Sequence, residues 1–231
     1  MLADINKIHA KDRPHDARLN ARMSSFDIAR GMMNEAPEAF DLSKEKDSVL
    51  ENYGLERGEK ESFSWQCLIA RRLIERGVRV VQLVDTGANN NWDAHGNMET
   101  HRNKAKYVDQ GIAALIGDLR DRGMLDDTLV VCCTEFGRTP FADSESAKGR
   151  GHHRHAFTSL MAGGGVKGGH VHGASDEIGM EVAEDLVHYH DFHATILRLM
   201  GFDHEKLTYR YGGRDFRLTD VSGKVVDSLI A

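Results

Sequence analysis

Apolar residues first recur at helical spacing at Phe63, Cys67, Ala70 and Ile74, and the pattern stops at Gly77. That spacing lines one face of a helix, and a glycine just past it suits a left-handed terminal turn. Val78-Arg79-Val80-Val81-Gln82-Leu83-Val84 follows at once and, rich in β-branched residues, predicts a strand. A second helical face carries Val108, Ile112, Leu115 and Leu119 and ends at Gly123. Thr128 to Cys133 is an almost unbroken apolar run, which predicts a strand covered on both faces. Phe157 to Ala162 predicts a third strand, running into Gly163-Gly164-Gly165. Glycines 168, 169 and 173 predict a hairpin around Val171, and Val187 to His190 alternates in a strand-like way. A last helix is expected from Asp191, as its N-cap, to Met200. Helix and strand in alternation imply an α/β fold with right-handed crossovers.

Residues 1–60 differ from this. They are polar and strand-poor, with a helical patch from Arg22 to Met33 and a charged run at Lys44-Glu45-Lys46-Asp47 after Ala36-Pro37. The pattern divides the chain into a helical arm with a connecting segment (1–60) and an α/β domain (61–231). The 231 residues suffice for a full core, and 40% hydrophobic with 29% charged residues is ordinary for a globular chain. A net charge of −6 offers no basic field for phosphates, which argues against nucleic-acid or anionic-membrane partners. No run approaches the ~20 apolar residues of a membrane helix. Met1 to Lys7 lacks the apolar core of an export signal, so the chain is expected to be cytoplasmic or to have lost its targeting segment. Three cysteines, two of them adjacent at Cys132-Cys133, suggest buried thiols rather than disulfides.

Chemistry gathers around the ends of the apolar strands, where open α/β sheets bind ligands. After the first comes Asp93-Ala94-His95; after the second, Thr134-Glu135-Phe136-Gly137-Arg138-Thr139-Pro140; before the third, Gly149-Arg150-Gly151-His152-His153-Arg154-His155. Asp93 and His95, two apart on a loop, can reach one cation, or else form a capped turn beside a solvated histidine. Mixed imidazole and carboxylate ligands suit zinc, manganese or iron, while carboxylate-rich sites tolerate calcium or magnesium. Glu135 reads as a ligand, a general base, or the salt-bridge partner of Arg138. Arg138 can instead clamp an anionic oxygen bidentately. His152, His153 and His155 can supply one more ligand, or form a solvated histidine-rich loop. Thr134, Thr139, Ser62 and Ser64 read as caps, turns or strand-end residues. The three glycines at 163–165 lack the lysine of a phosphate-binding loop and read as a tight turn.

Four strings together resemble the domain-of-unknown-function family 1501, a bacterial family whose members often carry a sulfatase label. They are Trp92-Asp93-Ala94-His95, Leu125 to Val131, Thr134 to Pro140 and Leu160 to Gly169, supported by Asp191 to Leu197, Tyr209-Arg210-Tyr211 and Gly213 to Phe216. The resemblance covers nearly the whole chain. It implies the alkaline-phosphatase-like fold shared by phosphatases, arylsulfatases and phosphoglycerate mutases, of which this chain is the C-terminal part: a sheet flanked by helices. It implies a divalent metal (zinc, calcium, manganese or magnesium) and a small-molecule sulfate or phosphate ester as substrate. Asp93 and His95 match the Asp/His pair of one metal, Glu135 stands where the superfamily has an aspartate, and His152 resembles its last metal-binding histidine. Two positions depart: Phe136 occupies the place of a histidine, and Gly151 that of an aspartate. A sulfatase nucleophile needs Cys-x-Pro-x-Arg, and Cys67-Leu68-Ile69-Ala70-Arg71 lacks the proline. The resemblance thus implies a hydrolase part without its nucleophile region, or a degenerate binding or scaffold module, exported in the full-length protein.

Overall fold

A computed structural model describes residues 2–11, 13, 15–85, 91–142 and 144–231. Among these, α1 (Leu2–Lys11) and α2 (Ala17–Phe40) form the arm, followed by α3 (Asp47–Asn52), α4 (Phe63–Glu75) and α5 (Thr100–Asp121). Short strands then alternate with loops: β1 (Val130–Cys132), β2 (Gly137–Arg138), β3 (His152–His153), β4 (Leu160–Ala162), β5 (Ala174–Ser175) and β6 (Val182–Glu184). After them come α6 (Tyr189–Leu199), β7 (Thr208–Tyr211) and β8 (Arg214–Arg217). No helix among the described residues is long and apolar enough to cross a membrane.

The core is where the helical spacing put it. Phe63, Cys67 and Leu68 of α4 pack against Ala114, Leu115 and Leu119 of α5, with Leu50, Tyr53 and Leu55 closing the cluster. Ser62 caps α4 by accepting from the Trp65 amide at 3.1 Å, and Gly77 closes it with φ +82°. Burying a leucine of this kind is worth about 1.5–3 kcal/mol. Burial also pushes the Cys67 thiol up to about 12, so it is an inert packing group.

Beside this core lies a buried ion network. The Arg71 side chain, 3% exposed, meets Glu45 at 3.1 Å and Glu75 at 2.7 Å. Its Nε lies 3.0 Å from Asp118, near enough for ion pairing though misaligned for a hydrogen bond. Asp118 also accepts from the Tyr53 hydroxyl at 3.2 Å and from Arg122 at 2.6 Å. Burial first, and the Asp118 charge second, raise the Tyr53 pKa. Glu45, reached also by Arg72, ties the segment after α2 to α4.

The sheet departs from expectation. The described strands form four two-stranded antiparallel pairs, so the described residues make a mixed α and β structure and not the single sheet flanked by helices that was expected. Val78–Val84 runs without strand pairing: among the described residues its one backbone hydrogen bond is Val78 N–H to the Leu73 carbonyl. Val81 and Leu83 turn inward while Val80 and Val84 stay exposed, so the alternation is real although no strand pairs with it among the described residues. The two later apolar runs pair with each other, Val130 opposite Ala162 and Cys132 opposite Leu160.

Other corrections are local. The patch at Arg22–Met33 extends into a helix that takes in Pro37. No strand forms around Val171; the hairpin is β5–β6, closed by Asp176, whose carboxylate accepts from the Met180 amide at 2.8 Å. His188 is not in a strand but is the N-cap of α6, and Asp191 sits inside the helix as the reciprocal partner of its capping box. Cys132 and Cys133 are exposed, because β1 has only three residues and one neighbour. The run Gly163–Gly165 is the tight turn expected, all three residues at positive φ. A side chain at Gly163 would lie 2.4 Å from the Leu125 carbonyl.

Candidate functional site

Three segments meet at one end of the β2–β3 pair. The first is the loop carrying Asp93 and His95, fixed at its root by Trp92. The indole donates to the Asp85 carboxylate at 2.6 Å, and the Trp92 carbonyl bonds the His101 ring at 2.8 Å in the first turn of α5. The second is β2, which carries Arg138. The third is Lys148–His153, which ends in β3. In the antiparallel register Arg138 lies opposite His152 and Gly137 opposite His153. Alternation along β3 then turns His152 to the cluster and buries His153 at 4% exposure, its Nε2 without a hydrogen-bond partner among the described residues.

Lys148–Arg150 binds the first loop directly. Lys148 N–H donates to the Gly96 carbonyl at 3.1 Å, Met98 N–H to Lys148 at 3.0 Å, and Arg150 N–H to Ala94 at 3.1 Å. The approach is so close that a Cβ on Gly149 would lie 1.9 Å from the His95 carbonyl oxygen. Only glycine fits there.

The result is a convergent set of candidate ligands. Asp93 Oδ1 lies 3.0 Å from His95 Nε2 and 2.9 Å from His152 Nε2, and the two Nε2 atoms are 3.2 Å apart. Ligands ~2.0–2.2 Å from a tetrahedral zinc are separated by ~3.3–3.5 Å. A few tenths of an ångström of opening would admit such an ion. The donors, one carboxylate and two imidazoles, leave a fourth position open, and all three residues are roughly half exposed. The Asp93 carboxyl is held down at about 2, first by its hydrogen bond with His152 and then by Arg138. It is therefore ionised and ready to ligate at any neutral pH.

Arg138 joins the site by a route the sequence did not indicate. Its Nη2 pairs with Asp93 Oδ1 at 2.6 Å, and its Nη1 donates to the Arg150 carbonyl at 3.3 Å. Glu135, by contrast, is exposed and stands outside the three-residue cluster, accepting from the Thr134 hydroxyl at 3.0 Å. Its pKa is lowered first by its own backbone N–H and then by Thr134, with Arg138 and His152 adding weaker charge effects. His155 is likewise outside the cluster, 3.6 Å from Glu181. Phe136 takes an active part: its ring stacks on His152 at 4.0 Å between centroids, with the Arg138 guanidinium 5.7 Å from its centre. Sequence reasoning missed Gly149, Thr139 and the backbone of Arg150, which bond or closely approach the segments carrying the candidate ligands. The string Gly149-Arg150-Gly151 was the available signal, since closely spaced glycines often mark a close backbone approach.

Comparison with known proteins adds one finding. A family model described as "Protein of unknown function (DUF1501)" matches residues 1–230. No curated protein and no solved structure gives a significant match.

Proposed function

This chain belongs to the DUF1501 family of proteins of unknown function, and from that membership and its convergent ligand set we propose that it carries the metal centre of a hydrolase of sulfate or phosphate esters. The observation that supports this most is the meeting of Asp93, His95 and His152, whose ligand atoms lie within 4.8 Å of one another. A loop and a strand, with Asp93 and His152 59 residues apart in sequence, deliver three ligands of the same hard-to-borderline class to one point. A divalent ion held there would act as a Lewis acid on an ester oxygen.

The chain's own residues have separable tasks. Asp93, ionised, supplies the anionic ligand; His95 and His152 supply imidazole nitrogens. Arg138 sits against the same carboxylate, placed to neutralise charge on a sulfate or phosphate oxygen beside the open position. In this reading the chain contributes ligands and an anion clamp within an alkaline-phosphatase-like fold, and not the covalent nucleophile. The rival reading, a degenerate binding or scaffold module, draws on Phe136 and Gly151, which replace two potential ligands. The stacking of Phe136 on His152 favours a one-metal site over an abandoned one, because the ring supports a ligand in place.

The test is to titrate the chain with zinc, manganese, calcium and magnesium and to assay aryl phosphate and aryl sulfate, comparing His152→Ala. Stoichiometric metal lost in the variant, with no appreciable turnover by the chain alone, is the expected result. Absence of metal binding would favour the scaffold reading. Robust turnover abolished in His152→Ala would show that the chain holds its own nucleophile.

A further inference from the structure

A metal site is only as good as the groups that hold its ligands still, and one residue outside the ligand set makes four bonds around this one. Thr139, 8% exposed, directly follows Arg138. Its hydroxyl donates to the Phe141 carbonyl at 2.7 Å and accepts from the Gly151 amide at 3.0 Å. Its own amide donates to the Gly151 carbonyl at 3.0 Å, and its carbonyl accepts from Arg150 Nη1 at 2.9 Å. Gly151 immediately precedes His152, and Arg138 pairs with Asp93. We propose that Thr139 is the positioning residue of the site, its buried hydroxyl fixing the Gly151 peptide and so the place of His152 relative to Asp93 and His95.

The proposal rests on the metal reading above, and its logic is that of outer-shell support. The β2–β3 pair contains only two residues in each strand, too few to define a register by backbone bonding alone. The Thr139 hydroxyl extends that pairing by one step on the side where the chain must turn into the ligand. The hydroxyl uses both its donor and its acceptor capacity and is buried, so replacing it with a methyl leaves the Gly151 amide and the Phe141 carbonyl without this partner. Valine in its place would keep the shape and the β preference, which separates the hydrogen bond from the packing. Thr139 bonds Gly151, the residue before His152, so it acts through His152 and not as a ligand.

The experiment uses the full chain and zinc as probe. Thr139→Val, Thr139→Ser and Asp93→Ala are compared by competition with a chromogenic chelator, and amide exchange at Gly151 is followed by NMR on the same samples. Thr139→Val is expected to weaken zinc binding about 10–100-fold, the usual cost of losing an outer-shell partner, and to speed exchange of the Gly151 amide. Thr139→Ser should restore both, since it keeps the hydroxyl, whereas a purely packing role would be served better by valine. Unchanged zinc affinity in Thr139→Val, alongside loss in Asp93→Ala, would overturn the positioning role and leave the metal reading standing. Should wild type bind no zinc, the metal reading falls. The Gly151 exchange rate then still decides the hydroxyl's part: faster in Thr139→Val supports it, unchanged overturns it.

Discussion

Gly149→Ala offers the sharpest test of how the site is assembled. The new methyl would lie 1.9 Å from the His95 carbonyl oxygen, 2.0 Å from its carbon and 2.3 Å from the Ala94 oxygen. All three are backbone atoms, so no rotamer change relieves the clash, and side-chain carbons essentially never come within 3.0 Å of such atoms. The two segments must therefore separate by roughly 1 Å, the scale of misplacement at which a supported site fails. Three hydrogen bonds cross the seam at 3.0–3.1 Å. At about 0.5–1.5 kcal/mol each, their loss costs on the order of 2–4 kcal/mol. For a chain of this size that corresponds to a fall in Tm of roughly 5–15 °C. The separation also carries Asp93 and His95 away from His152, whose ligand atoms now lie 2.9–3.2 Å apart. The assay pairs a thermal melt with zinc titration, and both midpoint and affinity are expected to drop. A variant that melts like wild type and binds zinc equally well would refute the reasoning, because the loop contact would then be dispensable.

Two further outcomes follow from the ion pairs. Arg71→Met removes the cation shared by Glu45, Glu75 and Asp118 and leaves buried carboxylates short of a partner; urea unfolding is expected to show a loss of about 3–5 kcal/mol. A loss under about 1 kcal/mol would mean that Arg72 and Arg122 take over its role. Asp93, held at about 2 against an ordinary value of 3.8, contributes stability that is fully present above pH 3.8 and lost as the pH falls toward 2. A carbon-detected NMR titration should place its midpoint well below 3.8, and Arg138→Ala should raise it; a midpoint at or above 3.8 would contradict the observed clamp.

The helical half of the molecule was legible because its signal is local. Phe63, Cys67, Leu115 and Leu119 recur at the helix period, and each lies in the core. Turn chemistry was legible for the same reason: Gly77 and Gly123 both take the positive φ that ends a helix. The ligand set was half legible. Each segment announced its own residues, Asp93 and His95 in one loop and His152 in another, but nothing in a single sequence fixes a register. Arg138 shows the consequence. By sequence distance Glu135 was its natural partner, three residues away, yet β2–β3 pairing turns it toward Asp93, forty-five residues upstream. Glu135 follows a strand end and simply remains in solvent with Thr134.

The strands failed where a strand is a property of two segments and not one. Val78–Val84 keeps the alternation that a half-buried strand requires, with Val81 and Leu83 against the helices and Val80 at 70% exposure. An apolar pattern records which face a segment buries; it is silent on which segment will meet its N–H and C=O groups. The surface reflects the same sparse pairing of the described strands. The chain exposes 16412 Å², against about 10,500 Å² for a compact protein of its mass. Phe26, Met33, Val80 and Val84 are among the apolar side chains left in that excess. Stability therefore has to rest on the α4–α5 core and its ion network rather than on sheet pairing. The candidate site sits at the other extreme, on two-residue strands, where a single close glycine contact and one buried hydroxyl stand in for the ladder that longer strands would provide.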